Sequence, residues 1–179
     1  MLDRQAVEAI ARKHGCEDFA WISGQDVQVR QWVGLKCMYG CGSCGRKGGC
    51  PPAVPAIGEC RELFKEYEHI LILHLVARFA RPEDRKEWSR KRNLELLPIE
   101  HEVFLAGHPK AFLLFMDECR VCKECPGRLE ECRHPSLSRP CPEALGVDLF
   151  SAVRQVGLPM EVLTEYEQEM NRYAFLLVE

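Results

Sequence analysis

The 179-residue chain is 46% hydrophobic and 28% charged, enough apolar material for one domain with a packed core, which excludes wholesale disorder. Its formal net charge of -3, from 24 basic and 27 acidic residues, lacks the basic field of a nucleic-acid protein. Residues 1–15 are charged throughout, unlike a secretory signal, and the longest apolar run, residues 70–79, is too short to cross a bilayer. The expected location is therefore the cytoplasm, with no membrane span.

Residues 3–14 read as an amphipathic helix with Val7, Ile10 and Ala11 on one side and Gly15 as its stop. Val27, Val29, Gln31 and Val33 alternate with polar or bulky residues and predict a strand. Residues 37–52 hold so many glycines, prolines and cysteines that an irregular loop is expected. A helix follows over 55–67, with Ile57, Cys60, Leu63, Phe64 and Tyr67 at helical spacing. Residues 69–79 (HILILHLVARF) read as a buried strand. Residues 82–106 predict a long helix broken or kinked at Pro98. Residues 110–116 predict another strand, 119–141 a second irregular cysteine segment, and 148–156 a short helix ending at Gly157. Strands over 160–163 and 173–178 close the chain.

This order predicts a single α+β domain over 1–179: a mainly antiparallel or mixed sheet, helices packed on one face, and two cysteine-rich cluster-binding loops. A doubly wound parallel sheet is the alternative.

Eleven cysteines stand out, and eight fall into two groups. The first is Cys37-x3-Cys41-x2-Cys44-x5-Cys50, followed by Pro51. The second is Cys119-x2-Cys122-x2-Cys125-x6-Cys132. In a reducing compartment, grouped cysteines point to metal rather than to disulfides. The second group opens like the bacterial ferredoxin run, C-x2-C-x2-C. A cubane presents four irons at the corners of a tetrahedron, each wanting one thiolate. A tight loop reaches three corners, and the fourth ligand comes from further along the chain. Both last spacings depart from the ferredoxin x3, so cluster binding follows from the pattern and a ferredoxin fold does not. Zinc is the rival, through Cys41, Cys44, Cys122 and Cys125 or through one site per group.

Cys60, on the apolar face of a predicted helix, reads as a small buried hydrophobe. Cys16 carries no signal. Cys141 could replace Cys132 as a distal ligand, with a bystander role favoured. Arg120, Lys123, Arg128, Arg133, His134 and Arg139 surround the second group. They could offset the charge of an anionic cluster, receive an anionic substrate or meet an acidic partner; a solvated basic loop is the plain alternative. His134 is a further candidate ligand. Glu95, Glu100, His101 and Glu102 read as a charged helix face. Phosphate-loop, dinucleotide and serine-hydrolase motifs are absent.

The stretch 37–52 ending in CPP, the stretch CRVCKECPGRLEECRHPSLSRP and the following EALGVD together resemble domain-of-unknown-function family 2284, described as predicted metal-binding proteins. The resemblance covers nearly the whole chain. The family usually reads RPSMEA where this chain has RPCPEA, so Cys141 is a departure. The resemblance implies metal binding and supplies no reaction.

Three functions stay open. The first is an iron–sulfur protein with one or two [4Fe-4S] clusters in electron transfer or a redox-accessory role, serving a redox partner protein. The second is a redox enzyme with an open-site cluster acting on an anionic substrate. The third is a structural zinc protein for interactions. Oligomeric state cannot be read from the sequence.

Overall fold

The computed structural model describes residues 2–165 and 167–179. Four strands, β1 (Asp18–Ile22), β2 (Ile70–Ala77), β3 (Phe112–Leu114) and β4 (Met170–Leu177), form one sheet in the order β1-β2-β4-β3. Every pairing is antiparallel, with Ile70 opposite both Ile22 and Leu177, and Leu113 opposite Leu176. That removes the doubly wound alternative.

Successive strand residues point to opposite faces, and both faces are buried. Ile70, Ile72, Tyr173 and Phe175 join one core, while Leu71, Leu73, Ala174 and Leu176 join the other. A strand covered on both sides has no polar register, which is why β2 reads as an unbroken apolar run. Helices α1 (Arg4–Lys13) and α4 (Pro82–Leu105) cover one face through Val7, Ala11, Leu96, Ile99 and Val103. Helices α3 (Ile57–Lys65) and α5 (Leu149–Gln155) cover the other through Cys60, Phe64, Ala152 and Val153. Helices thus lie on both faces, not on the expected one.

The helix ends follow their local chemistry. Asp3 accepts from Ala6 N–H at 3.1 Å, and Asp148 from Ser151 N–H at 3.2 Å, so each caps its helix. Gly15 and Gly157 take φ of +77° and +79° just beyond α1 and α5. The predicted helix over 82–106 runs unbroken through Pro98.

Three expectations fail. The stretch 27–33 is not a strand: it contributes one isolated bridge, Val29 to Val147, and then enters helix α2 (Gln31–Gly40). The first cysteine stretch is not wholly irregular, since α2 carries Cys37 and ends against Cys41. Residues 160–163 form no strand, and Val162 is 75% exposed. The expected strand over 110–116 shortens to β3. Beyond it Phe115 N–H donates to the Pro140 carbonyl at 2.9 Å, so the second cysteine segment leaves and rejoins the sheet at one point.

Among the described residues, no helix is long and apolar enough to cross a membrane.

Candidate metal centre

The first cysteine group is assembled from a helix end and a self-bonded loop. Cys37 sits in the last turn of α2, and Cys41 follows it as the C-terminal cap, donating its N–H to Cys37 C=O at 3.3 Å. Cys44 N–H reaches Cys41 C=O at 3.4 Å, and Cys50 N–H reaches Lys47 C=O at 3.1 Å. Gly45, at φ +70°, turns the chain so that its N–H meets Pro51 C=O at 2.8 Å, an arrangement that favours glycine. These turns bring Cys37, Cys41, Cys44 and Cys50 onto the wall of one cavity of about 420 Å³.

That cavity has other walls. Trp32 and Val33 of α2, Leu149 and Phe150 of α5, and Met160 make one side apolar. Lys36, Asp117, Glu118, Glu143 and Cys141 add polar groups to the rest, with Asp117 paired to Arg85 at 3.3 Å and Glu118 to Arg120. Glu143 Oε2 is buried with no hydrogen-bond partner among the described residues, and burial holds its carboxyl above the usual range.

Two of these thiols, Cys37 and Cys50, are held in the protonated form. Burial, followed by the neighbouring Cys41, pushes Cys37 from an ordinary 9.0 to about 11. The same causes, in the same order, push Cys50 to about 12. Cys37 Sγ donates to Glu143 C=O at 3.5 Å and Cys44 Sγ to Pro51 C=O at 3.4 Å, as neutral thiols do. Four thiolates crowded beside three carboxylates repel one another. As thiolates, such a donor set is stable only beside a polyvalent cation, which would displace the thiol protons as it binds.

The second group is laid out differently. Cys119 is 9% exposed, packs into the core beneath α4, and accepts from Ser138 Oγ at 3.4 Å. Cys122 lines a hollow with Lys123, Arg133 and His134. Cys132 closes a turn onto Leu129 C=O at 3.0 Å. Cys125 accepts a hydrogen bond from Gly48 N–H of the first loop at 3.4 Å. In none of the cavities described here do these four meet, and His134 is exposed at their margin.

The two cysteine segments nevertheless pack on each other. A Cβ at Gly48 would stand 3.2 Å from Arg128 C=O, so only glycine allows the first loop to lie this close without displacing the second. Ser43 Oγ donates to Glu118 at 2.9 Å across the same seam.

The basic residues expected around the second group divide in two. Arg139 is committed to Glu100, which also accepts Leu113 N–H at 2.6 Å, so this pair fastens the cysteine segment to α4 and β3. Arg120 is paired with Glu118, and Arg128 with Glu131. Lys123 and Arg133 stay exposed beside Cys122. The charged face of α4 serves structure: Glu102 binds Lys13 and His14, and Glu95 binds Arg92. Cys60, fully buried, is the small hydrophobe its spacing predicted, and Cys16 is buried as well.

Sequence reasoning missed Cys141 as a wall of the first cavity, and with it Asp117, Glu118 and Glu143. No local spacing signals them, because tertiary contact alone brings residues 117–118 and 141–143 to residues 37–50.

Among the described residues, no three Cys, His, Asp or Glu side chains close around a point that could hold a single metal ion. Tetrahedral zinc, with Zn–S bonds of about 2.3 Å, needs sulfurs about 3.8 Å apart. A four-iron cluster gives each thiolate its own iron and spreads the sulfurs around a larger body. Cys37, Cys41, Cys44 and Cys50 line one cavity of about 420 Å³, a thiol set of the kind that either centre takes.

An α+β layer that presents grouped cysteines on paired loops defines a metal-binding class of protein. The chain belongs to the family of predicted metal-binding proteins DUF2284, whose model matches residues 20–178. No curated protein and no solved structure matches it.

Proposed function

We propose that this is an iron–sulfur protein that holds a [4Fe-4S] cluster on Cys37, Cys41, Cys44 and Cys50 and a second on Cys119, Cys122, Cys125 and Cys132, and that it passes electrons between partners. The observation that carries the electron-transfer reading is the seam between the two groups. Gly48, two residues before Cys50, donates its N–H to the Cys125 sulfur at 3.4 Å, so the two cysteine segments touch, which supports a short path between centres held on them. A backbone N–H aimed at a ligating sulfur withdraws charge from it and raises the cluster's potential. When bound, such clusters supply one-electron chemistry. The chain's own residues position the sulfurs, flank them with Trp32, Phe150 and Met160, and set the local charge.

The first cavity, whose wall sets Asp117, Glu118 and Glu143 against Lys36, favours a cation over an anionic substrate. The exposed Lys123 and Arg133 beside Cys122 instead fit an acidic redox partner at the second centre.

The test is absorption spectroscopy with iron, sulfide and zinc analysis on protein purified without oxygen. The expected result is a brown protein with about eight irons and eight sulfides per chain. A colourless protein with one or two zincs and no sulfide sinks this reading and favours a metal-stapled structural domain.

A further inference from the structure

Five cysteines, not four, face the first cavity. Cys37, Cys41 and Cys44 belong to one continuous stretch, the end of α2 and the turn after it. Cys50 and Cys141 are the two buried sulfurs of the set, 4% and 8% exposed. They arrive on two backbones that touch just before them. A Cβ at Gly49 would lie 3.1 Å from Arg139 C=O and 3.5 Å from Pro140 Cα, and the next residue on each strand of chain is a cysteine facing the cavity.

A cubane has four irons and takes one thiolate at each. With Cys37, Cys41 and Cys44 on three corners, two adjacent thiols remain for the fourth. We propose that Cys141 is an alternative ligand of the first cluster, competing with Cys50 for the same iron. This rests on the iron–sulfur reading above. In the exchange, the Cys141 thiol releases its proton as its sulfur bonds iron, and the departing Cys50 thiolate takes up one proton. Net charge is unchanged and no electron moves. The site therefore tolerates loss of either cysteine and fails only when both are gone.

The test uses the full chain, purified without oxygen, as wild type, C50S, C141S and C50S/C141S. Iron and sulfide per chain and the electron paramagnetic resonance spectrum of the reduced protein are read for each, with far-ultraviolet circular dichroism as the check on folding. Each single variant is expected to keep the wild-type iron content, with altered g values in C50S only. The double variant is expected to lose about four irons, half the total. C50A/C141A, whose methyl groups suit a partly apolar wall, gives the same reading if the serine pair disturbs the fold. Loss of about four irons from C50S alone, or retention of all iron by the double variant, overturns the proposal while leaving the iron–sulfur reading intact. A wild type without iron overturns both.

Discussion

The two cysteine groups have similar spacing and unlike surroundings. The first lies in a hollow between a helix end, α5 and a turn at residues 142–145, with apolar side chains and three carboxylates around it. The second is strung along an irregular segment, with one sulfur in the core, one against the neighbouring loop, and one in a basic hollow. A setting richer in carboxylates disfavours added electrons, whereas nearby cations and N–H donors favour them. On the proposed iron–sulfur reading, the difference sets a direction: the second centre is expected to hold the higher potential and to accept electrons from the first. Spacing alone, being alike, carries no such information.

The largest effect on that comparison should come from Arg139→Ala. Arg139 and Glu100 are 12% and 15% exposed, and removing one partner of a largely buried pair costs about 3 kcal/mol. Urea denaturation should show that loss, and iron analysis should show depletion of the second centre before the first. Equal depletion of both would erase the distinction drawn between them.

A smaller effect is expected from pH in the metal-free protein. Folding raises Cys37 to about 11 and Cys50 to about 12, so the folded state holds protons that the unfolded chain gives up near 9.0. Their contribution is fully present below about pH 9 and is lost as pH climbs toward 12. Thermal melting of apo protein across that range should fall with rising pH, and C50S should flatten the fall. A melting temperature that does not depend on pH would mean the first cavity is wetter than described. Metal binding, which must strip these protons, should strengthen as pH rises from 6 to 8.

The smallest change is Gly48→Ala. A methyl group 3.2 Å from Arg128 C=O forces the seam apart at a cost of about 1 kcal/mol. The Gly48 N–H to Cys125 bond lengthens, so redox titration should find the second centre's potential lowered and the first unchanged. An unchanged second potential would remove the seam from the account of electron flow.

Much of this architecture is legible along the chain, for identifiable reasons. The helix α1 announces itself through Asp3, the Val7–Ala11 spacing and Gly15, and α5 through Asp148 and Gly157. The strands β2 and β4 are betrayed by apolar runs that only a doubly covered strand needs. Helix α2 is hidden because its apolar residues go all round: Val33 is buried while Trp32, Leu35, Met38 and Tyr39 are 48–84% exposed. With glycines at 34 and 40 as well, no helical stripe shows. The valines at 27, 29 and 33 imitate a strand yet are buried individually, from a short 3-10 turn, a single bridge and a helix. At the site, local spacing finds eight candidate sulfurs because each group lies within one stretch. Cys141 joins them through the contact of Gly49 with residues 139–140, which brings together cysteines 91 positions apart in sequence.

The hydrogen bond from Phe115 N–H to Pro140 C=O has a consequence for how such a chain can diversify. It makes the second cysteine segment a detour that begins and ends at the same place beside β3. Changing the length of a closed detour is cheap, about 0.6 kcal/mol for each doubling. Inside that neck, length changes fall most easily on the exposed residues 129–131, while Cys119 stays anchored in the core and Cys125 against the first loop. The first cysteine group, threaded through α2 into the core, has no such freedom.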